Sequence, residues 1–207
     1  LNYREHVKET AKNLNHPPTM PEHPVYFSKR VVQMMGPDEE IQYASSGSSQ
    51  LDYEVELTVV IGKAGRDIPA AQAEDHIFGY TIMNDLSARD MQARHLQWFK
   101  GKSLDTFTPI GPCIVHKSAL PLPLSLALKS YVNGELRQDG NTSDFIFDIP
   151  TVIEDLSRGM TLEPGDLIAT GTPKGVGMGF SPPRYLQVGD EIVCEIEGIG
   201  TLRNVIR

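Results

Sequence analysis

Residues 51–62 read L-D-Y-E-V-E-L-T-V-V-I-G, and the rest of the chain is organised around them. Leu51, Tyr53, Val55, Leu57, Val59 and Ile61 fall on alternate positions. That is the period of a half-buried β-strand, and β-branched and aromatic residues favour the assignment. Asp52, Glu54, Glu56, Thr58 and Val60 occupy the other face. Residues two apart point the same way, with Cα atoms roughly 6.5–7 Å apart, so Glu54 and Glu56 can converge on one point above the sheet. Two carboxylates so placed repel unless a cation lies between them. A lone E-x-E is more often a solvated strand face. Here the same face runs on into Thr58 and Val60, which predicts burial, and a third acid lies downstream.

That third acid is Asp85. It ends a second apolar strand expected over Phe78–Asn84 (F-G-Y-T-I-M-N), with a helix expected over Leu86–Phe99. An aspartate at a strand-to-helix junction serves commonly as an N-cap, but strand ends also open onto clefts. Glu54, Glu56 and Asp85 together form a candidate all-carboxylate site. Three carboxylates can hold a divalent ion and leave octahedral positions for water and substrate. The six histidines form no H-x-H or H-E-x-x-H, and no C-x-x-C occurs. Oxygen donors therefore remain, which suit Mg²⁺ or Mn²⁺ rather than zinc. If the helix begins at Asp85, Arg89 lies one turn on and Gln92 three further along the same face. A guanidinium there could grip a substrate carboxylate in bidentate fashion; an i,i+4 salt bridge is the plainer alternative.

Outward from this centre, Leu1–Lys12 reads as a short helix, with Asn2 as N-cap and Glu5 completing a capping box. His6 and Glu9 share a helix face, where two solvated polar residues are the default reading. Four prolines in residues 17–24 exclude regular structure and predict a long loop with the character of a lid. Val25–Met34 is expected as a strand carrying Lys29 and Arg30. Residues 36–50 and 100–112 read as loops, and Ala70–Ile77 as a short helix. Asn133-Gly134 marks a two-residue hairpin. Ile149–Arg158 is a helix with Pro150 in its first turn and Gly159 closing it. L-x-x-G-D-x-I occurs at Leu162–Ile168 and again at Leu186–Ile192, each a Gly-Asp turn entering a strand. A last hairpin turns at residues 197–200. T-G-T-P-K-G-V-G over residues 170–177 lacks the Ser or Thr that a phosphate-binding P-loop needs after its lysine. Its amides could still cradle a small anion. The fold class is α+β, mainly β, with mixed sheets and a few short helices.

The chain has 207 residues, 40% of them hydrophobic, and a net charge of −8 without a basic block. That length suits one large domain. The charge argues against nucleic acid and acidic membranes as partners, and no apolar run is long enough to span a bilayer. Cys113 and Cys194 both lie in apolar, strand-like sequence, so buried free thiols in a reducing cytosol are expected. The chain opens at Leu1 without methionine, so a preceding segment is expected to be removed or absent.

Several separate motifs carry a resemblance to one family: N-Y-R-E-H-V-K-E, D-Y-E-V-E-L, N-D-L-S-A-R-D, the Gly101-Lys102-Ser103 step, V-N-G-E-L-R-Q and T-G-T-P-K-G-V-G. In this order they resemble the fumarylacetoacetate hydrolase family, most closely its acylpyruvase and oxaloacetate decarboxylase branch. The resemblance covers nearly the whole chain, as one catalytic domain over 1–207. It implies a β-roll of mixed sheets, usually paired as a homodimer, and Mg²⁺ or Mn²⁺ on Glu54, Glu56 and Asp85. A 2-oxo acid would chelate that ion through its keto and carboxylate oxygens. Lys102, Arg89, Gln92, Thr172, Gly171 and Lys29 would contact substrate or enolate. His6 and Glu9 would form a water-activating dyad on a lid over residues 1–24, and residues 177–183 would face the substrate's tail. Family members usually carry a segment ahead of the N-Y motif, and its absence is the expected departure of this chain. The activity so implied is cleavage of a C–C bond in a 2-oxo or 2,4-dioxo acid. An isomerase of hydroxymuconate-type diacids is the alternative within the family. A non-catalytic β domain with a structural ion is the alternative outside it.

Overall fold

The computed structural model describes residues 1–13 and 17–207. In chain order the elements are α1 (Arg4–Asn13), β1 (Glu40–Ile41), β2 (Leu51–Asp52), β3 (Val55–Ile61), α2 (Ala73–His76), β4 (Ile77–Asn84), β5 (Ser87–Ala88), α3 (Arg89–His95), α4 (Phe99–Lys102), β6 (Ile110–His116), β7 (Ala127–Val132), β8 (Glu135–Asn141), α5 (Ile149–Ser157), β9 (Leu167–Ala169), β10 (Glu191–Ile196) and β11 (Gly200–Ile206). A five-stranded sheet runs β1-β11-β10-β7-β8, a four-stranded sheet runs β6-β4-β3-β9, and β2 pairs with β5. Among these strand pairs β1–β11 alone is parallel. The two large sheets pack with β3 and β4 against β7 and β10. Their core includes Val55, Leu57, Val59, Tyr80, Ile82, Leu128, Ile192 and Cys194.

The central stretch departs from the half-buried strand expected of its alternation. Every residue from Leu51 to Ile61 is buried, on both faces. The strand is also interrupted at Tyr53–Glu54, because three successive amides go to side chains instead of a ladder. Tyr53 N–H donates to the Asp52 carboxylate, Glu54 N–H to Asn84 Oδ1, and Val55 N–H to Gln138 Oε1. Past the break, β3 pairs antiparallel with β4, Val55 opposite Asn84. That register sets Asp85 beside Glu54, whose carbonyl accepts from Asp85 N–H at 2.9 Å.

Local turn chemistry follows the sequence closely. Asn133 (φ 51°) and Gly134 (φ 79°) both take positive φ, as a type I′ turn requires. The two Gly-Asp turns share one construction. Gly165 and Gly189 each have φ 97°, and Asp166 and Asp190 each accept from the amide three residues back at 2.8 Å. Asp148 caps α5 by accepting from Thr151 N–H, with Pro150 in the first turn.

Other expectations need correction. No helix starts at Asp85 or Leu86: Ser87–Ala88 pairs with β2, and α3 begins at Arg89. Asp85 is therefore not an N-cap. Leu96 then adopts φ 60°, which ends α3 and leaves α4 separate. Val25–Met34 forms no strand. It is an extended strap without a ladder neighbour, tied down by side chains: Tyr26 Oη donates to Asp155 Oδ2 at 3.0 Å, and Ser103 Oγ accepts from Arg30 N–H at 3.0 Å. Asn2 does not cap α1, because its side chain donates to the Phe147 and Thr170 carbonyls and accepts from Phe147 N–H. Cys113 is exposed on the outer strand β6, whereas Cys194 is buried; both are free thiols. The expected lid falls partly on residues 14–16, which lie outside the described residues. Among those described, no helix is long and apolar enough to cross a membrane.

Candidate active site

β3 and the end of β4 bring three acids together. One carboxylate oxygen each from Glu54, Glu56 and Asp85 lies within 4.8 Å of the others, and all three residues are buried. Cations from the preceding strap and from two later helices meet them. Lys102 Nζ, at the end of α4, donates to Glu54 Oε2 and Asp85 Oδ2, each at 2.6 Å. Lys29 Nζ reaches in from the strap and donates to Asp85 Oδ1 and the Phe107 carbonyl, each at 2.6 Å. Arg89, opening α3, donates through Nη2 to Glu54 Oε1 at 2.7 Å, through Nε to Asp52 Oδ2 at 2.9 Å and through Nη1 to Gln92 Oε1 at 3.1 Å. The i,i+4 pair with Asp85 does not form, since no helix joins the two.

Glu56 is the exception. Among the described residues no side-chain cation pairs with it, and its Oε2 accepts from Gly171 N–H at 2.8 Å. Burial, reinforced by the negative charges of Asp85 and Glu54, pushes its carboxyl up to about 8. Burial acts the same way on Glu54, but Lys102 and Arg89 outweigh it and hold that carboxyl below its ordinary range. Lys102 stays above the ordinary lysine value because Asp85 and Glu54 outweigh its burial. Burial wins at Lys29 and lowers it despite Asp85. The cluster thus has one carboxyl, Glu56, that no side-chain cation balances, and in the metal-free protein a proton neutralises it. Converging oxygen donors with one uncompensated carboxylate fit a hard divalent cation.

This has a measurable sign. A carboxyl that holds its proton up to about 8 in the folded state and 4.5 when unfolded makes folding less favourable as pH rises between those values. The metal-free chain therefore melts at progressively lower temperature from pH 4.5 to 8. The stabilisation added by millimolar Mg²⁺ grows over the same range, because the ion takes the proton's place. Differential scanning fluorimetry with EDTA or Mg²⁺ checks both slopes.

The glycine-rich loop is a cradle for anions, but the anions are the protein's own. Gly171 N–H binds Glu56, Gly175 N–H binds Glu9 at 2.9 Å, and Gly177 and Met178 N–H bind the two oxygens of Asp52 at 2.5 and 2.9 Å. Gly171 (φ 97°) and Gly175 (φ 102°) take backbone angles that few other residues tolerate. A Cβ on Gly179 would overlap the Glu9 carboxylate. Glu9 in turn lies 3.2 Å from His6 Nδ1, and both side chains are largely buried, not the solvated pair of the default reading.

These groups surround a cavity of about 320 Å³. His6, Glu54, Glu56, Arg89, Gln92, Lys102, Gly171 and Thr172 line its polar end. Tyr26, Phe27, Trp98, Phe147, Val152 and Ile168 form apolar walls, and Met178 represents the 177–183 loop. Asp85, Lys29 and Glu9 stand behind the lining. The Thr172 hydroxyl is already engaged, donating to the Val55 carbonyl at 2.9 Å and accepting from Gln138 Nε2 at 2.7 Å. Phe27 meets the Trp98 ring edge-on at 5.4 Å and lies under Lys102 Nζ at 5.1 Å.

Two buried residues escaped the sequence reading. Asp52 sits on the acid face of D-Y-E-V-E, the one signal that could have found it. Gln138 sits in V-N-G-E-L-R-Q and bonds Val55 N–H, Ser130 Oγ, Thr172 Oγ1 and the Pro173 carbonyl.

Comparison with known proteins agrees with this architecture. Residues 1–207 match the model of the fumarylacetoacetate (FAA) hydrolase C-terminal family. The chain is 54% identical over 205 residues to the oxaloacetate tautomerase YisK of Bacillus subtilis, covering 99% of this chain and 67% of that protein. Among solved structures it is similar to a fumarylacetoacetate hydrolase of Exiguobacterium antarcticum, with TM-score 0.89 and 46% identity over 100% of this chain and 72% of that one. It is also similar to the fumarylpyruvate hydrolase of Pseudomonas aeruginosa in complex with Mn²⁺ and pyruvate, with TM-score 0.85 and 33% identity over 99% of this chain and 85% of that one. The chain belongs to the fumarylacetoacetate hydrolase family of enzymes.

Proposed function

We propose that this chain is the catalytic domain of a divalent-metal-dependent enzyme acting on small 2-oxo and 2,4-dioxo acids. The reaction runs through an enolate formed as the bond beside a β-carbonyl or β-carboxylate breaks. The observation that carries this reading is the buried triad Glu54, Glu56 and Asp85, flanked by Arg89 and Lys102 at the polar end of one cavity. A Mg²⁺ or Mn²⁺ ion held by the triad would supply Lewis-acid charge to the keto and carboxylate oxygens of the substrate. Lys102 adds positive charge where the enolate oxygen develops. Arg89 and Gln92 bind the substrate carboxylate, and Gly171, Thr172 and Lys29 shape and close the same end. His6, oriented by Glu9, takes a proton from the water that attacks the acyl carbon of an acylpyruvate. With oxaloacetate the enolate forms as CO₂ leaves, and no water need attack.

The similarity to an oxaloacetate tautomerase supports a second reading, keto–enol proton transfer at the same site. Residues 1–24 act as the lid that brings the dyad over the cavity. A homodimer and a cytoplasmic location complete the proposal. Exposed Phe78 and Ile114 on β4 and the outer strand β6 support the homodimer, which sedimentation velocity checks.

A rate assay on oxaloacetate, acetylpyruvate and fumarylpyruvate, each with Mg²⁺, Mn²⁺ or EDTA, tests the reading. Wild type is expected to turn over at least one of them only with metal. His6→Ala is expected to slow acylpyruvate cleavage by about 10²–10³-fold. Turnover that persists undiminished in EDTA would refute the metal-dependent reading. Tautomerisation surviving His6→Ala would move the proton transfer to another group.

A further inference from the structure

Asp52 is fully buried beside the acid triad, yet its carboxylate is saturated by protein donors. Oδ1 accepts from Tyr53 and Gly177 N–H, and Oδ2 accepts from Met178 N–H and Arg89 Nε. With four donors in place it has no lone pair to offer a metal, and among the described side chains its ion-pair partner is Arg89. A Cβ on Gly177 would lie 2.7 Å from Asp52 Oδ1, so loop and carboxylate are fitted closely to each other. The same loop holds Glu9 through Gly175 N–H.

We propose that Asp52 is a positioning residue that fixes the Arg89 guanidinium edge-on to the substrate and locks it to the loop whose Gly175 amide holds the dyad's glutamate. The grip on the substrate carboxylate and the placement of His6–Glu9 are then parts of one assembly with Asp52 at its centre. The role rests on the reading of Arg89 as the carboxylate-binding residue. Without Asp52, Arg89 keeps Glu54 and Gln92 as partners but loses the bond that sets its Nε–H.

Asp52→Asn tests this, because the amide keeps the size of the carboxylate. If its oxygen stays on the Tyr53 and Gly177 amides, its NH₂ turns towards Arg89 and Met178, donor against donor. Two readouts are needed. The first is the Arg89 Nε–H resonance in ¹⁵N-labelled protein, assigned by its disappearance in Arg89→Lys. It is expected to be protected from solvent exchange in wild type and lost in Asp52→Asn. The second is the Kd of oxalate, a planar mimic of a pyruvate enolate, measured by calorimetry on Mg²⁺-loaded protein. Asp52→Asn is expected to weaken oxalate about tenfold or more while leaving the Mg²⁺ affinity in place. Arg89→Lys should weaken oxalate similarly, and the double variant no further than either single one. A resonance that stays protected in Asp52→Asn overturns the proposal, as does its loss without weaker oxalate binding. Full additivity in the double variant does the same. Should oxalate fail to bind wild type, the functional reading fails, and the Arg89 resonance still decides whether Asp52 holds the guanidinium. If Asp52→Asn does not fold, Arg89→Lys carries the test. Unchanged oxalate binding in that variant overturns the proposal.

Discussion

Asp85→Ala is expected to destabilise the metal-free protein by about 3–5 kcal/mol, the usual cost of breaking a buried ion pair from one side. Both oxygens of Asp85 are in use, one by Lys29 and one by Lys102. Alanine leaves two ammonium groups buried near each other, with Glu54 shared between Lys102 and Arg89. Lys29 then loses its only carboxylate partner among the described residues, and the strap it anchors keeps the Tyr26–Asp155 and Ser103–Arg30 bonds and the Lys29 bond to the Phe107 carbonyl. Urea unfolding should show the lower midpoint, and limited proteolysis should cut first within residues 17–35. Calorimetry should find no high-affinity Mg²⁺ site, since two carboxylates remain where three are needed. Asp85→Asn keeps an acceptor for one lysine and should fall between wild type and Asp85→Ala in stability, while losing the metal. An Asp85→Ala protein as stable as wild type would mean that the lysine contacts contribute little to the fold.

Lys102→Met separates catalysis from metal binding. The methionine fills a similar volume against Phe27 but removes the charge facing Glu54 and Asp85. Turnover should fall by about 10²–10³-fold, the typical loss when a group stabilising a developing oxyanion is removed. Metal affinity should rise, because an ion then meets the three carboxylates without a competing ammonium beside them. The metal-free protein should lose stability, and Mg²⁺ should restore most of it. A variant that binds metal more weakly than wild type would reverse the assigned electrostatics. One that turns over unchanged would remove Lys102 from the chemistry.

The acid triad was legible because its parts obey simple periods. Glu54 and Glu56 are two apart where the chain enters β3, and Asp85 directly follows β4, so the antiparallel register brings all three together. Turns were equally readable, since Asn133-Gly134 and the two Gly-Asp repeats state their backbone angles in their composition. What remained hidden depends on partners distant in sequence. The break at Tyr53–Glu54 needs Asn84 and Gln138 to take amides that a ladder would otherwise use. The strap over residues 25–34 has the composition of a strand but no neighbour to pair with. The glycine loop's true ligands, Glu56, Glu9 and Asp52, lie between 115 and 166 positions earlier in the chain. Local pattern shows that such a loop binds anions. It does not show that those anions are side chains of the same protein.

Enolate formation is the step shared by cleavage, decarboxylation and tautomerisation, so it is the most direct test of the site. The measurement is exchange of the pyruvate methyl protons for deuterium in D₂O, followed by proton NMR with wild-type protein and Mg²⁺, Mn²⁺ or EDTA. An enolate-forming site predicts exchange well above the rate with metal ion alone, abolished by EDTA and sharply reduced in Lys102→Met. Exchange no faster than metal in buffer, with calorimetry showing the ion bound, would contradict it.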